Sequence, residues 1–515
     1  MNVVRRLSLL FALMLGAIHA CSFAPWNLPW LQVLALTALF ALAARSTSAK
    51  SAALLGFAFG LGWFGVGISW VYISMHVYGL MPAVLAGAAT AAFCAYLSAY
   101  PALALGLAHR LFSNVEWRLA VGLPALWMIA EWLRGTVFTG FPWLASGYAH
   151  TDGPLAGWAP TLGMYGVTLM AALLAGALSL FTLPKRRYLW VAAALMVVVG
   201  GGWLGRMQSW TTAAGSPIGV RLVQANVPQN LKFEPDGLAR AFTAHLALMQ
   251  EQGPTKSVDL VALPESIFPV PLQHVPPSYL QAFRDFAQQH RSAVIFGVFL
   301  EEPRGHYFNS AVGYVPNEAS DDARLRRYSK RHLVPFGEFI PPGFRWFVDM
   351  MKMPIGDQQR GATAQSLPLG GQQVAINICY EDLFGAEIID AWHTGGPAPT
   401  MMLNVSNLAW FNDSLALPQH LQISRMRVLE TQHPMLRATN TGATAIIDAR
   451  GNVTAQLPYL TRGALNGSVQ GYQGTTPFIR YGNWPAVLLA GLLVLIAFLK
   501  KRSDRDDVIR TIDAR

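Results

Sequence analysis

Long apolar segments occupy the first two-fifths of the chain and recur near its end. A membrane-spanning helix needs about 20 mostly apolar residues, and its backbone polar groups must be satisfied within the segment. Eight segments fit this description, with few charges in any of them: 7–22, 28–44, 52–73, 82–108, 118–135, 160–183, 188–206 and 482–499. The pattern predicts an integral membrane α-helical bundle of about eight transmembrane helices.

The stretch between the seventh and eighth apolar segments reads like a soluble protein. Short β-branched runs, such as 220–223 and 260–263, alternate there with helical stretches such as 235–251 and 417–431. Strands that alternate with helices predict an α/β layered domain. The expected parts of the chain are transmembrane helices 1–7 in 1–210, a globular domain in 215–475, transmembrane helix 8 in 480–500 and a tail in 501–515.

Basic residues give this arrangement an orientation. If eight helices alternate across the bilayer, five basic clusters fall on one side: 5–6, 45–50, 110–118, 185–187 and 500–502. The opposite loops, 23–27, 74–81 and 136–159, contain no Lys or Arg. Since basic residues concentrate in cytoplasmic loops, the globular domain is expected on the non-cytoplasmic side and the tail in the cytoplasm. Basic residues in these loops also account for the formal charge of +10. The sequence shows no stripe of alternating basic and aromatic residues, so nucleic-acid binding is not expected.

Residues 1–22 have a second interpretation as a cleaved signal peptide, because Ala20-Cys21 resembles a lipoprotein processing site. The second apolar segment follows almost at once, however, and the charge alternation holds with the first helix in place. A retained transmembrane helix is therefore the favoured interpretation.

Two ionisable residues, Glu131 and Arg134, lie near the outer end of the fifth apolar segment. Charged groups at such a depth are costly and are usually paired or functional. A structural ion pair is the favoured interpretation, and a functional role is the alternative.

Cys379 differs from the other two cysteines of the chain. Cys21 and Cys94 lie inside apolar segments and are interpreted as small buried hydrophobic residues. A disulfide between Cys379 and either of them would need a thiol at membrane depth, so no disulfide is expected. No nucleotide-binding glycine motif is present, and neither a cofactor nor a metal is expected.

Three polar side chains stand at the ends of predicted strands in the globular part, where α/β folds place their chemistry. They are Glu265, Lys330 and Cys379. A lysine ammonium lowers the pKa of a thiol and a carboxylate accepts its proton, so this set suits nucleophilic acyl transfer through a thioester. Lys330 and the backbone N–H of Tyr380 can stabilise the oxyanion that forms on the ester carbonyl. Each residue alone has an ordinary structural explanation, and their joint placement favours the catalytic one.

Several stretches resemble the nitrilase superfamily, whose members carry a Glu-Lys-Cys triad on an αββα sandwich. The resemblance is closest to its membrane-bound branch, the apolipoprotein N-acyltransferases, and runs over nearly the whole chain. The stretches that carry it are 63–70, 131–135, 140–143, 264–266, 328–338, 379–381, 404–407, 410–411, 418–420 and 437–442.

The resemblance implies a role for each member of the triad. Glu265 is then the general base, Lys330 the oxyanion stabiliser and Cys379 the nucleophile, with Glu338 as a fourth residue that positions Lys330 or the base. The implied donor is a phospholipid such as phosphatidylethanolamine. The implied acceptor is the α-amino group of the N-terminal diacylglyceryl-cysteine of a lipoprotein, in the last step of lipoprotein maturation.

The resemblance also implies a place and a pocket. The place is a bacterial inner membrane, with the catalytic domain in the periplasm and the protein as a monomer. Tyr380 and Glu381 would shape the pocket beside the thioester. Phe233 would belong to the substrate pocket but stands where the family usually has a tryptophan, and Leu408 replaces a common Asp.

Two functions of other classes compete with this one. A membrane-anchored nitrilase-type amidase would use the same triad, but one helix would suffice to anchor it. A transporter with an accessory domain usually shows internal repeats and several intramembrane ionisable residues. The sequence shows no repeat, so the acyltransferase is the favoured hypothesis.

Overall fold

The computed structural model describes residues 3–183, 188–229, 234, 236–251, 257–316, 325–346 and 357–513. Phe233, predicted as a pocket residue, lies outside these ranges. The chain divides into two compact units. The first, here called the helical unit, comprises Met1–Tyr72, Val84–Ser209 and Arg480–Arg515. The second, here called the sandwich unit, comprises Ile73–Ala83 and Trp210–Ile479.

Each of the eight predicted apolar segments overlaps a helix of the helical unit. These helices are Val3–Ala20, Pro29–Ala44, Ala49–Gly67, Ala83–Leu111, Leu123–Arg134, Ala159–Ser179, Tyr188–Met207 and Trp484–Asp513. In the part of the chain that is described, four helices are long and apolar enough to cross a membrane: Ala49–Gly67, Ala83–Leu111, Pro154–Thr182 and Tyr188–Met207. Pro29–Ala44 and Trp484–Lys500 are apolar but shorter. The count of eight spans stays a prediction.

Glycines let the first and third helices of this unit approach closely. A Cβ added to Gly16 would lie 1.9 Å from the carbonyl oxygen of Phe59, and one added to Gly62 would lie 1.9 Å from that of Leu13. Small residues at a helix contact allow backbones to meet in this way. The helix Val3–Ala20 therefore packs directly against Ala49–Gly67.

Glu131 and Arg134 form the predicted ion pair. Their charged groups are 3.9 Å apart and both side chains are buried. The Glu131 carboxylate accepts a hydrogen bond from the Ser146 N–H at 2.7 Å, and Arg134 donates to the carbonyls of Phe141 and Trp143. The pair thus fixes the segment that follows its own helix.

The third apolar segment is shorter than predicted. Its helix ends at Gly67 instead of continuing to residue 73. The Ser69 hydroxyl bonds back to the carbonyl of Val66 at 3.1 Å, a local interaction that competes with helix continuation. The following segment, Ile73–Ala83, belongs to the sandwich unit. Within that unit the Tyr78 hydroxyl donates to Asn412, and the Tyr78 ring meets the Trp410 ring edge-on at 5.7 Å.

The described residues of the sandwich unit form two six-stranded mixed sheets. Its strands are β1 (Thr211–Gln224), β2 (Leu260–Ala262), β3 (Ala293–Glu301), β4 (Tyr307–Tyr314), β5 (Arg326–Ser329), β6 (Ser366–Leu369), β7 (Gln372–Ile378), β8 (Met401–Ser406), β9 (Met435–Thr439), β10 (Ala445–Ile447), β11 (Val453–Gln456) and β12 (Gly463–Gly474). The first sheet has the order β12-β1-β2-β3-β4-β5 and the second β11-β10-β9-β8-β7-β6. The parallel pairs are β1–β2, β2–β3, β7–β8 and β8–β9.

One apolar core joins the two sheets face to face. It includes Leu222 and Ile295 from the first sheet and Ile376 and Leu403 from the second. A second core packs the helices Gly237–Gln250 and Pro277–His290 on the outer face of the first sheet, and a third packs Ala416–Thr431 on the outer face of the second. The predicted αββα sandwich is confirmed.

The parallel strands direct their carboxyl ends to one edge of each sheet. Glu265 lies just beyond β2, Lys330 directly after β5 and Cys379 directly after β7. Strand ends that open onto loops leave side chains free to meet around a site. The three predicted catalytic residues therefore start from three different strands.

Candidate active site

Glu265, Lys330 and Cys379 come together in the sandwich unit. The Lys330 ammonium nitrogen lies 3.5 Å from an oxygen of Glu265 and 2.8 Å from an oxygen of Glu338. The charges of Glu265, Lys330 and Glu338 all act on the Cys379 thiol. The structure thus assembles the residues that the sequence predicts for nucleophilic acyl transfer.

Glu265 is held by two donors that leave its position little freedom. Asn309 Nδ2 donates to Oε1 at 2.7 Å, and the Asn407 backbone N–H donates to Oε2 at 2.8 Å. The side chain is buried, and Asn407 follows the central strand β8. Hydrogen bonds to an ionised carboxylate are strong and directional, so they orient Glu265 toward the shared space.

Glu338 binds the same partners as Glu265. Its Oε1 accepts from Lys330 at 2.8 Å and from Asn309 at 2.9 Å, and its Oε2 accepts from the Val334 N–H at 2.8 Å. Lys330 therefore sits between two carboxylates and is 1% exposed. Burial lowers the pKa of Lys330, but the charges of Glu338 and Glu265 outweigh it and hold that pKa above its ordinary value. Lys330 stays an ammonium.

Asn309 is a site residue that sequence reasoning missed. It lies on β4, is 2% exposed and donates from one amide nitrogen to both Glu265 and Glu338. Its only signal in the sequence is an asparagine within an otherwise strand-like run, where that residue is disfavoured. That signal does not tell which partners the amide meets.

Cys379 adopts a backbone conformation that favours glycine. It directly follows β7 and begins a 3₁₀ turn, Cys379–Leu383, with a φ of +50°. Burial raises the pKa of the Cys379 thiol above its ordinary value, and Glu265 raises it further, while Lys330 and the Asn407 N–H lower it. The resting sulfur is therefore a thiol, and its ionisation requires a nearby base. Cys21, Cys94 and Cys379 are free cysteines, as predicted.

Glu381 links the segments that carry Lys330 and Cys379. Its carboxylate accepts from the Tyr328 hydroxyl at 2.9 Å, from the Arg331 N–H at 2.6 Å and from the Ile378 N–H at 2.7 Å. The side chain of Glu381 is buried, and its place in the pocket beside the thioester, which the resemblance implies, stays a prediction. Tyr380 is also buried, with its ring against His332 and Phe384. Leu408, the other departure from the family pattern, is 1% exposed.

Two family descriptions match successive parts of the chain. Residues 15–177 match the Apolipoprotein N-acyltransferase N-terminal domain, and residues 219–476 match the Carbon-nitrogen hydrolase family. An apolipoprotein N-acyltransferase from Ralstonia nicotianae is 50% identical over 95% of this chain and 93% of its own length. One from Bordetella bronchiseptica is 42% identical over 95% of this chain and 96% of its own length.

Solved structures give a more distant likeness. A CN-hydrolase superfamily protein from Xanthomonas campestris has a TM-score of 0.37 and 17% identity, and the match covers 53% of this chain and 97% of that protein. An amidase from Nesterenkonia sp. has a TM-score of 0.36 and 17% identity, over 51% of this chain and 94% of that protein. The identity to full-length relatives decides the assignment: the chain belongs to the apolipoprotein N-acyltransferase family, which combines an apolar helical part with a carbon-nitrogen hydrolase domain.

Proposed function

We propose that this protein transfers a fatty acyl chain from a phospholipid to the α-amino group of the N-terminal diacylglyceryl-cysteine of lipoproteins. The observation that carries the proposal is the Glu265–Lys330–Cys379 cluster on a chain with membrane-length apolar helices. A soluble substrate would not require such helices. The family resemblance implies the bacterial inner membrane as the location. The basic clusters favour the non-cytoplasmic side for the site, which in that membrane is the periplasm.

In the first half-reaction, Glu265 removes the proton from the Cys379 thiol as the sulfur attacks the ester carbonyl of the phospholipid. A base is needed because the pKa of the thiol is raised. The carbonyl oxygen becomes an oxyanion beside the Lys330 ammonium and the Tyr380 backbone N–H. Collapse of this intermediate breaks the ester bond, and the leaving alkoxide takes the proton from Glu265. The products are a lysophospholipid and a thioester on Cys379.

In the second half-reaction, the neutral amine of the acceptor attacks the thioester. Glu265, a carboxylate again, takes a proton from the attacking nitrogen, and the same donors stabilise the second oxyanion. Collapse breaks the C–S bond and forms the amide, and the sulfur recovers its proton. Glu338 keeps the Lys330 ammonium in place throughout, because it contributes the shorter of the two ion pairs.

The test is to incubate the purified full chain with a phospholipid that carries a labelled acyl chain and to map the labelled peptide. We expect a fatty-acyl mass on the Cys379 peptide that hydroxylamine removes, and its discharge by a diacylglyceryl-cysteine lipopeptide. Cys379→Ser should form no thioester and transfer nothing, while still inserting into membranes. The matched control is Cys94→Ala, since Cys94 is buried in the helical unit.

Two results would overturn the proposal. One is full transfer by the Cys379→Ser protein. The other is release of ammonia from small amides without any fatty-acyl mass on Cys379, which would instead support a membrane-anchored nitrilase-type amidase.

A further inference from the structure

The carbonyl oxygen of Cys379 is bound by two side chains that the catalytic steps do not use. His420 Nε2 lies 3.2 Å from this oxygen and Asn404 Nδ2 lies 3.4 Å from it. Cys379 itself has a φ of +50°, which a residue with a side chain keeps only when its surroundings hold it there. The shorter of these two contacts comes from the imidazole of His420.

The partners of His420 fix its tautomer. Its Nδ1 lies 2.8 Å from Nη2 of Arg437, and a guanidinium only donates, so Nδ1 is the acceptor. A neutral imidazole then carries its hydrogen on Nε2 and donates it to the Cys379 carbonyl. His420 is 1% exposed within the helix Ala416–Thr431. Burial, and then the Arg437 charge, lower the pKa of His420 well below its ordinary value, which agrees with a neutral ring.

Arg437 also fixes the far side of the turn that begins at Cys379. Its Nη1 donates to Asp382 at 2.7 Å, and the Ser424 hydroxyl contacts both groups. Asp382 lies in the same 3₁₀ turn, Cys379–Leu383. One fully buried guanidinium therefore holds the turn directly through Asp382 and indirectly through His420.

The Cys379 carbonyl shares a peptide plane with the Tyr380 N–H. In a planar trans peptide these two groups point in opposite directions. A hydrogen bond that fixes the direction of the carbonyl therefore fixes the direction of the N–H. Rotation of this peptide would place a carbonyl oxygen where the oxyanion needs a donor.

We propose that His420 is a positioning residue, whose Nε2–H holds the Cys379–Tyr380 peptide so that the Tyr380 N–H faces the developing oxyanion. The proposal rests on the proposed acyl transfer at Cys379. It assigns His420 a role in the formation of the oxyanion site and none in the reactivity of the sulfur.

Two reactions of the same thiol separate these roles. The burst of p-nitrophenolate from a p-nitrophenyl fatty ester reports acylation of Cys379, which passes through an oxyanion. Alkylation of Cys379 by iodoacetamide displaces iodide at a saturated carbon and forms no oxyanion. Both rates are measured on the full chain in detergent and expressed per alkylatable Cys379, so that misfolded protein does not count.

His420→Phe keeps the ring volume and removes the donor. We expect its acylation rate to fall about 100-fold, as for the loss of one oxyanion donor, while its alkylation rate stays close to that of the wild type. His420→Gln should restore most of the acylation rate, since its amide can donate to Cys379 and accept from Arg437. The control is His433→Phe, another buried histidine of the sandwich unit, which binds the Thr431 carbonyl and should leave both rates unchanged.

Three outcomes would overturn the inference: wild-type acylation by His420→Phe, an equal loss of acylation and alkylation, or no recovery in His420→Gln. Failure of the proposed function looks different, because it appears in the wild type. A wild-type burst with the synthetic ester, but no labelled acyl chain on Cys379 after incubation with phospholipid, refutes the lipid donor and leaves the comparison of variants valid. If the synthetic ester gives no burst and the phospholipid leaves no acyl chain on Cys379, acyl transfer at Cys379 is refuted, and the role of His420 with it.

Discussion

Replacing Glu381 by Gln should weaken the hydrogen bonding that connects the segments carrying Lys330 and Cys379. Four groups donate to this buried carboxylate: the Tyr328 hydroxyl and the backbone N–H groups of Arg331, His332 and Ile378. Oε1 accepts three of them, and Oε2 accepts the Ile378 N–H at 2.7 Å together with the Tyr328 hydroxyl. A glutamine therefore loses the fewest hydrogen bonds when its amide nitrogen replaces Oε2. In that position the amide nitrogen faces the Ile378 N–H, and since both groups are donors, no hydrogen bond forms between them.

The magnitude follows from the number of donors left unpaired. One buried donor without a partner costs about 1–3 kcal/mol, so Glu381→Gln should lower the free energy of unfolding by about 2 kcal/mol. Glu381→Ala leaves all four donors without this acceptor. It should therefore remove a large part of the free energy of unfolding, which is typically about 5–15 kcal/mol for a folded protein. Tyr328→Phe removes one donor and leaves the carboxylate three, so it should cost about 1 kcal/mol.

The assay is the apparent melting temperature of the full chain, combined with the burst of p-nitrophenolate from a p-nitrophenyl ester. We expect both to decrease in the order wild type, Tyr328→Phe, Glu381→Gln and Glu381→Ala. The control is Glu302→Gln, which breaks an exposed ion pair with Arg327 and should change stability by less than about 1 kcal/mol. A Glu381→Gln protein that melts and reacts like the wild type would refute the reasoning.

Three further predictions concern other contacts of the site. Burial, and then the charge of Glu265, raise the pKa of Cys379 above 9.0. Glu265→Gln should therefore lower the pH midpoint of Cys379 alkylation, and an upward shift would contradict the assignment. Asn309→Leu removes the donor shared by two carboxylates and should slow the ester burst about tenfold or more, whereas a wild-type rate would make the amide dispensable. Asp382→Ala leaves Arg437 buried without its carboxylate and should cost about 3–5 kcal/mol in chemical unfolding. The double variant with Arg437→Met should cost less, and a strictly additive loss would show that the pair is not coupled.

Much of the architecture could be predicted because it depends on local patterns. The β-branched runs 220–223, 260–263 and 293–296 form β1, β2 and β3, and the helical stretches 278–290 and 417–431 form helices. Apolar periodicity and length are properties of a single segment, so one sequence reveals them. Two members of the triad could be placed for the same reason, since Glu265 and Cys379 closely follow the apolar runs 260–263 and 374–376. Lys330 follows the polar strand Arg326–Ser329, so no local apolar run points to it.

The groups around the triad depend on contacts between distant strands. Asn309 reaches Glu265 from 44 positions away, and His420 reaches Cys379 from 41 positions away. Nothing in the local run around either residue tells which partner it meets, because the sandwich topology brings them together. The end of the third helix at Gly67 was missed for a related reason: hydropathy continues to residue 73, while the hydrogen bonding does not.

The segment Ile73–Ala83 has a practical consequence for anyone who wishes to make the catalytic part by itself. It lies between two apolar helices in the sequence, yet it groups with the sandwich unit, where the Tyr78 ring contacts the Trp410 ring edge-on and the Tyr78 hydroxyl donates to Asn412. A fragment cut at residues 210 and 479 would lack this segment, here called the strap, and would leave the half-exposed Trp410 indole without its Tyr78 contact. A soluble version for inhibitor screening should therefore carry the strap as a grafted loop or receive it as an added peptide.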